Sequence, residues 1–179
     1  MLLKSQGNIE RFLNRWELIG ASVSLYLLIG IILLAAWQFT VSPEWLIHHQ
    51  IFGWLCFLFI AITSIHGIMW GMLIQTFIIF PVSVKRFLSN SIRMVRPLHM
   101  MTGLLGLGLA ILHGLPYLNA TLSFDLITTS GILAFVMLII LALDGIGLMV
   151  SPFLNRKTHR WVAIFFLICL FTHLYFILM

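Results

Sequence analysis

The sequence predicts an all-α membrane protein, a bundle of about five transmembrane helices forming a single transmembrane domain over residues 1–179. Of the 179 residues, 61% are hydrophobic and only 8% are charged, and the mean hydropathy is +1.11. Soluble domains average roughly 45–50% apolar and about 25% charged residues. Five apolar stretches and their short loops take up this length, so we expect no soluble catalytic domain.

Each apolar stretch suits a spanning helix, which needs roughly 20 residues at about 1.5 Å of rise each. The predicted spans are Leu18–Phe39, Ile51–Gly71, Leu98–Leu118, Leu126–Val150 and His159–Met179. The apolar character of the second span continues to Phe80, which fits either a tilted helix or a turn along the membrane surface. Four prolines fall at or near predicted span ends, where a missing N–H is tolerated: Pro43, Pro81, Pro97 and Pro152.

The positive charges predict an orientation. All ten Lys and Arg residues fall on one side of a five-span chain: Lys4, Arg11, Arg15, Lys85, Arg86, Arg93, Arg96, Arg156, Lys157 and Arg160. Because cytoplasmic loops carry an excess of Lys and Arg, we expect a cytoplasmic N-terminus and an outer C-terminus. We place the chain as a multi-pass protein of the bacterial inner membrane. The net charge of +5 reflects this asymmetry, and we expect no nucleic-acid partner.

Four histidines form the main candidate site. His99 and His113 lie 14 positions apart in span three, and His159 and His173 lie 14 apart in span five. Fourteen helical steps leave two side chains about 40° apart on one face and about 21 Å apart along the axis. Spans three and five run the same way, so His99 is level with His159 (the inner rung) and His113 with His173 (the outer rung). A haem held between two imidazoles suits each rung.

The neighbouring residues fit a porphyrin. The histidine face of span three carries Gly103, Gly106 and Ala110, which leave space beside the backbone, and that of span five carries Ala163, Phe166 and Leu170. Basic residues at the inner end could pair with haem propionates: Arg93, Arg96, Lys157 and Arg160. Neutral donors would serve the outer propionates: Tyr117, Asn119, Tyr175, His48 or His49. The two cysteines, Cys56 and Cys169, form no C-x-x-C-H motif, so such a haem would be non-covalent.

Other readings of these histidines remain open. A membrane histidine can hydrogen-bond a neighbouring helix, and Gly/Ala faces are ordinary packing surfaces. Zinc competes less well, because it prefers tetrahedral sites and each rung offers two imidazoles. Two imidazoles on one iron leave no open position for substrate, which suits electron transfer.

The same residues carry a family resemblance. The segments Val95–Gly103 and Leu112–Tyr117 resemble the third helix of the ferric-reductase-like transmembrane domain, and Lys157–Trp161 and Thr172–Tyr175 resemble its fifth. Gly131–Leu143 is similar to the helix between them. That superfamily includes ferric reductases, NADPH oxidases and the haem subunit of a periplasmic methionine-sulfoxide reductase. The resemblance covers about residues 93–179, the expected haem core, and implies that His99, His113, His159 and His173 are the axial iron ligands.

The chain also departs from that family. Many members continue into a cytoplasmic FAD/NAD(P)H domain, whereas this sequence stops six residues after His173. We therefore expect the electron donor to be another chain or a membrane quinol. Spans one and two match less well. Paired 14-residue histidine spacings also occur in the cytochrome b of quinol–cytochrome c oxidoreductases, with which only the spacing is shared.

Further polar residues lie in or beside the spans. His48, His49 and His66 surround span two, where they suit a third haem, a quinone site or, as we favour, hydrogen bonds near each interface. Asp144 lies inside span four, where a buried carboxylate is costly. It could relay protons at a quinone site, orient a ligand histidine or reach water at the helix end.

The sequence thus predicts a membrane electron-transfer subunit with two b-type haems, and a quinone as a further candidate cofactor. It is expected to be the cytochrome b subunit of an oxidoreductase complex rather than a complete enzyme, with no catalytic residue of its own. Expected partners are membrane lipid and a flavoprotein, an iron–sulfur protein or a periplasmic reductase or cytochrome. The alternative is a metal-ion or proton transport or assembly subunit that uses the same histidines.

Overall fold

Five helices make up the computed structural model, which describes residues 2–40, 49–75, 79–119, 125–150 and 155–179. The helices are α1 (Leu2–Thr40), α2 (His49–Ile74), α3 (Val82–Asn119), α4 (Leu126–Val150) and α5 (Arg156–Leu178). The described residues contain no strand. All five helices are long and apolar enough to cross a membrane. The prediction of an all-α chain with five candidate spans is confirmed.

Two helices extend well beyond their predicted spans. Helix α3 has 38 residues and is about 57 Å long, although a bilayer's hydrocarbon core is only about 30 Å thick. Its polar first part carries exposed Lys85, Arg86, Arg93 and Arg96. The placement of Pro97 at a helix end was wrong, because this proline lies inside α3 and is fully buried. Helix α2 ends at Ile74 and does not continue to Phe80, whereas Pro43 and Pro152 lie outside the described residues.

The chain divides into two compact units. One unit holds α1, α2 from Gly53 onward and α3 up to Leu109. The other holds the first turn of α2, α3 from Ala110 onward, α4 and α5. Most large apolar side chains of these helices are exposed, as Phe165, Ile168 and Phe171 of α5 illustrate. Such surfaces suit contact with lipid tails, since soluble monomers rarely expose large apolar patches.

In the first unit, α1 packs closely against the region of α3 around Pro97. A Cβ added to Gly20 would lie 2.6 Å from the Cβ of Pro97, so only glycine allows this approach. A proline in a helix removes one backbone hydrogen bond and disturbs the preceding turn. The indole Nε1 of Trp16 donates to the carbonyl of Met94 in that turn, at 3.3 Å. Helix α1 thus stabilises α3 where the proline weakens it.

In the second unit, α4 and α5 pack antiparallel, because the start of each helix lies beside the end of the other. Their buried core includes Ala134, Leu138 and Phe166. Both helices have a polar N-cap: Asp125 Oδ1 accepts from the Thr128 N–H at 2.6 Å, and Asn155 Oδ1 accepts from the Lys157 N–H at 3.0 Å. The caps satisfy amide groups that lack a partner at helix starts. They set where each span begins.

Replacing Gly20 with alanine is expected to destabilise the protein by about 1–3 kcal/mol, the usual cost of overpacking. The new methyl group would meet the rigid Pro97 ring, which has little freedom to move. The matched control is Gly30→Ala on the same helix, where nothing lies within 4 Å of the added Cβ. Thermal unfolding in detergent should show a loss for Gly20→Ala and, since alanine is the better helix former, no loss for Gly30→Ala. Equal melting temperatures would contradict the proposed contact.

Candidate functional site

Both histidines of α5 lie against α4 at matching positions. His173 contacts Ser130 and Gly131, and His159 contacts Asp144 and Gly145. The two contact pairs on α4 are 14 residues apart, as the two histidines on α5 are. In an antiparallel pair of helices, equal spacings of this kind let both contacts form at once. The histidine spacing that the sequence analysis singled out is therefore matched by a second spacing, of polar–glycine dipeptides on α4.

Asp144 lies next to the imidazole of His159. Its Oδ2 is 2.8 Å from Nδ1 of His159, and its side chain is only 6% exposed. A carboxylate is costly to bury unless a partner satisfies it. Of the three roles considered for Asp144, the geometry favours orientation of His159, because an ionised carboxylate accepts the Nδ1–H and holds the ring in place.

Ser130 provides the corresponding contact for His173. The serine Oγ is 3.2 Å from Nδ1 of His173 and donates its hydrogen to the carbonyl of Ile127 at 2.9 Å. A hydroxyl has one hydrogen to donate, and with that hydrogen on the Ile127 carbonyl the oxygen can accept the Nδ1–H of His173. Sequence reasoning missed Ser130. The signal that could have revealed it is the repetition of a small polar residue followed by glycine, at Ser130-Gly131 and Asp144-Gly145.

The glycines let the imidazoles approach the α4 backbone. A Cβ added to Gly131 would lie 2.9 Å from Cε1 of His173, closer than atoms pack. A Cβ added to Gly145 would lie 3.5 Å from Cε1 of His159, an ordinary contact. The ring of His173 therefore requires glycine beneath it, whereas that of His159 does not.

The second unit also holds both histidines that were predicted to form the outer rung. His113 and His173 are close enough to interact electrostatically. The ring of His113 also lies edge-on to Tyr117, with centroids 6.1 Å apart. Tyr117 and Tyr175, two suggested propionate donors, are exposed. The other suggested donors lie outside what the structure describes: His48, and the side chains of His49 and Asn119.

In the first unit, His99 belongs to a polar cluster between α2 and α3. Its Nδ1 is 3.0 Å from the carbonyl oxygen of Thr63, and the hydroxyls of Thr63 and Thr102 are 2.8 Å apart. The ring of His66 stacks at a tilt on that of His99, with centroids 4.7 Å apart. His66 therefore contacts one of the predicted ligands, which spacing along the chain did not predict.

The small residues on the histidine face of α3 contact α2. A Cβ on Gly103 would lie 3.6 Å from the Thr63 methyl group, and one on Gly106 would lie 2.8 Å from the Ile60 side chain. The thiol of Cys56 donates to the carbonyl of Gly106 at 3.2 Å. The missing side chain of Gly106 thus makes room for α2, whereas a methyl group on Gly103 would make an ordinary contact with Thr63. Gly106 therefore has a packing role, although it was predicted to border a porphyrin.

In three of the four candidate ligands, Nδ1 lies beside a group that can accept a hydrogen bond. The partners of Nδ1 are a backbone carbonyl for His99, a carboxylate for His159 and a hydroxyl whose hydrogen is already donated for His173. All three partners can accept a hydrogen bond, which favours the tautomer with the hydrogen on Nδ1 and the lone pair on Nε2. A histidine ligand uses its second nitrogen in this way when the first is held by an acceptor.

Of the basic residues predicted to pair with propionates, Lys157 and Arg160 lie near the start of α5, whereas Arg93 and Arg96 lie inside α3. The side chains of Arg93, Arg96, Lys157 and Arg160 are all exposed. Arg160 donates through Nε to the carbonyl of Arg156, at 3.4 Å. These side chains are long and can reorient, so they suit an anionic group near the membrane surface.

Within the described ranges, no three His, Cys, Asp or Glu side chains converge as a metal cluster would require. The histidines thus meet other groups singly or in pairs.

Comparison with models of known families, with curated proteins and with solved structures finds no match for this chain.

Replacing Gly131 with alanine is expected to displace His173 and to destabilise the protein by about 1–3 kcal/mol. Its matched control is Gly145→Ala, which places a methyl group beneath His159 at an ordinary contact distance. Thermal unfolding in detergent should separate the two variants, with the lower melting temperature for Gly131→Ala. If Gly145→Ala were equally destabilised, the close approach at Gly131 would not be the cause.

Proposed function

We propose that this chain is the membrane electron-transfer subunit of an oxidoreductase complex and carries electrons through two non-covalent b-type haems. The observation that carries the proposal is the common arrangement of the α5 histidines. Both sit at matching positions on α4, and both have Nδ1 held by an acceptor. A histidine used only for helix packing would not need the same tautomer, at the same spacing, in two places.

The donor set suits haem iron. His99 with His159, and His113 with His173, would each supply two imidazoles through Nε2, and neutral imidazole is a common iron ligand. When bound, such a group gains and loses one electron without opening a position for substrate. The outer rung is consistent with the placement of His113 and His173 in one unit, where the two imidazoles interact electrostatically. For the other two histidines, His99 and His159, an acceptor within the same unit lies beside each Nδ1, which leaves Nε2 available to a metal.

The chain's own residues prepare these ligands. Asp144, Ser130 and the Thr63 carbonyl fix which nitrogen of each imidazole is basic, and Gly131 lets the His173 ring settle against α4. The apolar spans exclude water from the path. Exposed Arg93, Arg96, Lys157 and Arg160 would pair with propionates at the cytoplasmic side.

The orientation and partners follow from the charge asymmetry. With all Lys and Arg on the cytoplasmic side, the His159 end of α5 would face the cytoplasm of a bacterial cell and the His173 end the outside. The donor would be a quinol or a cytoplasmic flavoprotein. The acceptor would be a partner redox protein, such as a periplasmic reductase or cytochrome.

One contact favours a second candidate function. Asp144 and His159 form a buried pair, 2.8 Å apart inside a span, and a carrier could bind a proton or a metal ion at such a pair. A transport or assembly subunit would use the pair without retaining haem. Haem retention by the purified protein therefore separates the two functions.

Pyridine-haemochrome quantitation of the purified chain is expected to give two b-type haems per polypeptide. His113→Ala and His173→Ala should each retain one haem, since both would empty the outer rung. Their double variant should also retain one, whereas His113→Ala combined with His159→Ala should retain none. The control is Thr172→Ala, beside His173, whose hydroxyl bonds within its own helix at 2.8 Å. The absence of haem from well-folded wild-type protein would refute the proposal and favour the carrier function.

The orientation is tested by fusion of reporters to the chain's two ends. A phosphatase that is active only outside the cytoplasm should be active after Met179 and inactive before Met1. A fluorescent protein that folds only in the cytoplasm should give the reverse pattern. Activity of the phosphatase at the N-terminus would overturn the orientation and leave the haem proposal in place.

A further inference from the structure

The two α5 histidines differ in the chemical group beside Nδ1, as well as in how closely a glycine of α4 approaches the ring. For His159 the group is the carboxylate of Asp144, at 2.8 Å, and for His173 it is the hydroxyl of Ser130, at 3.2 Å. The remaining contacts correspond, because each polar residue precedes a glycine that lies beneath the ring. The structure thus presents two similar sites with unequal hydrogen-bond acceptors.

The stronger acceptor makes the stronger iron ligand. Hydrogen bonds that involve an ionised group are shorter and roughly twice as strong as neutral ones. A carboxylate on Nδ1 draws the hydrogen toward itself and raises the basicity of Nε2. A more basic ligand, and a negative charge nearby, both favour the oxidised and more positive state of an iron centre. A neutral hydroxyl has neither effect to a comparable degree.

Other charges in this unit act more weakly. Arg156, Lys157 and Arg160 near His159 would favour the reduced state, and Asp125 near the outer end of α4 would favour the oxidised state. All four side chains are exposed, so water and salt screen them strongly. Asp144 is buried and in direct contact with His159, where charge interactions are screened less. The acceptors on Nδ1 should therefore decide the difference.

We propose that Asp144 and Ser130 are positioning residues that make the reduction potential at His159 lower than that at His173, so that electrons pass from the Asp144 end of α5 to the Ser130 end. The proposal rests on the proposed haem-binding function. In the transfer, one electron leaves the site at His159, which is oxidised, and arrives at the site at His173, which is reduced. No proton and no further reactant enters the balance.

The test is a potentiometric titration of the purified full chain in lipid nanodiscs, followed by its haem absorption. Wild type should show two one-electron waves. The wave that survives in His113→Ala belongs to the His159 site, and it should be the lower one. Asp144→Asn should shift this wave to more positive potential and leave the other unchanged. Ser130→Asp should shift the other wave to more negative potential.

The swapped variant, Asp144→Ser with Ser130→Asp, should reverse the order of the two waves. The control is Thr129→Ala, an exposed neighbour of Ser130, which should move neither wave. Asp144→Glu, which keeps the carboxylate, should stay closer to wild type than Asp144→Asn.

The outcomes separate this inference from the proposed function. If two haems are present and neither Asp144→Asn nor Ser130→Asp changes their reduction potentials, the inference is overturned and the proposed function stands. The same holds if the His159 site has a higher reduction potential than the His173 site. If Asp144→Asn lost a haem, the test would rest on Ser130→Asp. An unchanged reduction potential at the His173 site in that variant would overturn the inference. A wild-type chain without haem would overturn both proposals.

Discussion

The organisation of this molecule depends on the hydrogen bonds that three membrane histidines, His99, His159 and His173, make through Nδ1. An apolar span offers no water to an imidazole, so a partner must come from a neighbouring helix. Helix α4 supplies a carboxylate and a hydroxyl 14 residues apart, and α2 supplies the carbonyl of Thr63. Because these partners must meet their histidines, they align α4 with α5 and α2 with α3. Packing and candidate chemistry therefore use the same contacts.

Glycine makes those alignments possible. Gly131 lies beneath an imidazole, Gly106 beneath Ile60 and Gly20 beneath Pro97. Lipid tails are as apolar as leucine side chains, so close backbone approach and interhelical hydrogen bonds must supply much of the association between spans. In the sequence, Gly103 and Gly106 look equally suited to a porphyrin or to a helix. The structure shows that α2 takes that space.

The histidines have unequal partners. His99 stacks on His66 and bonds to Thr63, His113 lies beside Tyr117 and near His173, and His159 bonds to a buried carboxylate. Identical side chains thus occupy different electrostatic settings within one short polypeptide. Unequal settings would give two haems different reduction potentials, which would make transfer between them downhill in one direction. In this way the contacts of α4 connect the fold to the proposed function.

The sequence by itself determined the class, the number of spans and the histidine spacing, because apolar length and helical periodicity are local properties that leave a direct mark on the chain. The predicted position of Pro97 at a span end was wrong, because prolines usually lie at helix ends and the sequence does not show that Trp16 and Gly20 of α1 contact α3 around this proline. Only the tertiary structure decided which residues meet the histidines. Ser130 and Thr63 are unremarkable in the sequence, and nothing in the sequence pairs His66 with His99. The contact between Asp144 and His159, which favours one of the three roles considered for Asp144, is likewise visible only in the structure. Those partners depend on how separate helices align. The alignment is set jointly by side chains of both helices, so no single segment of the sequence encodes it.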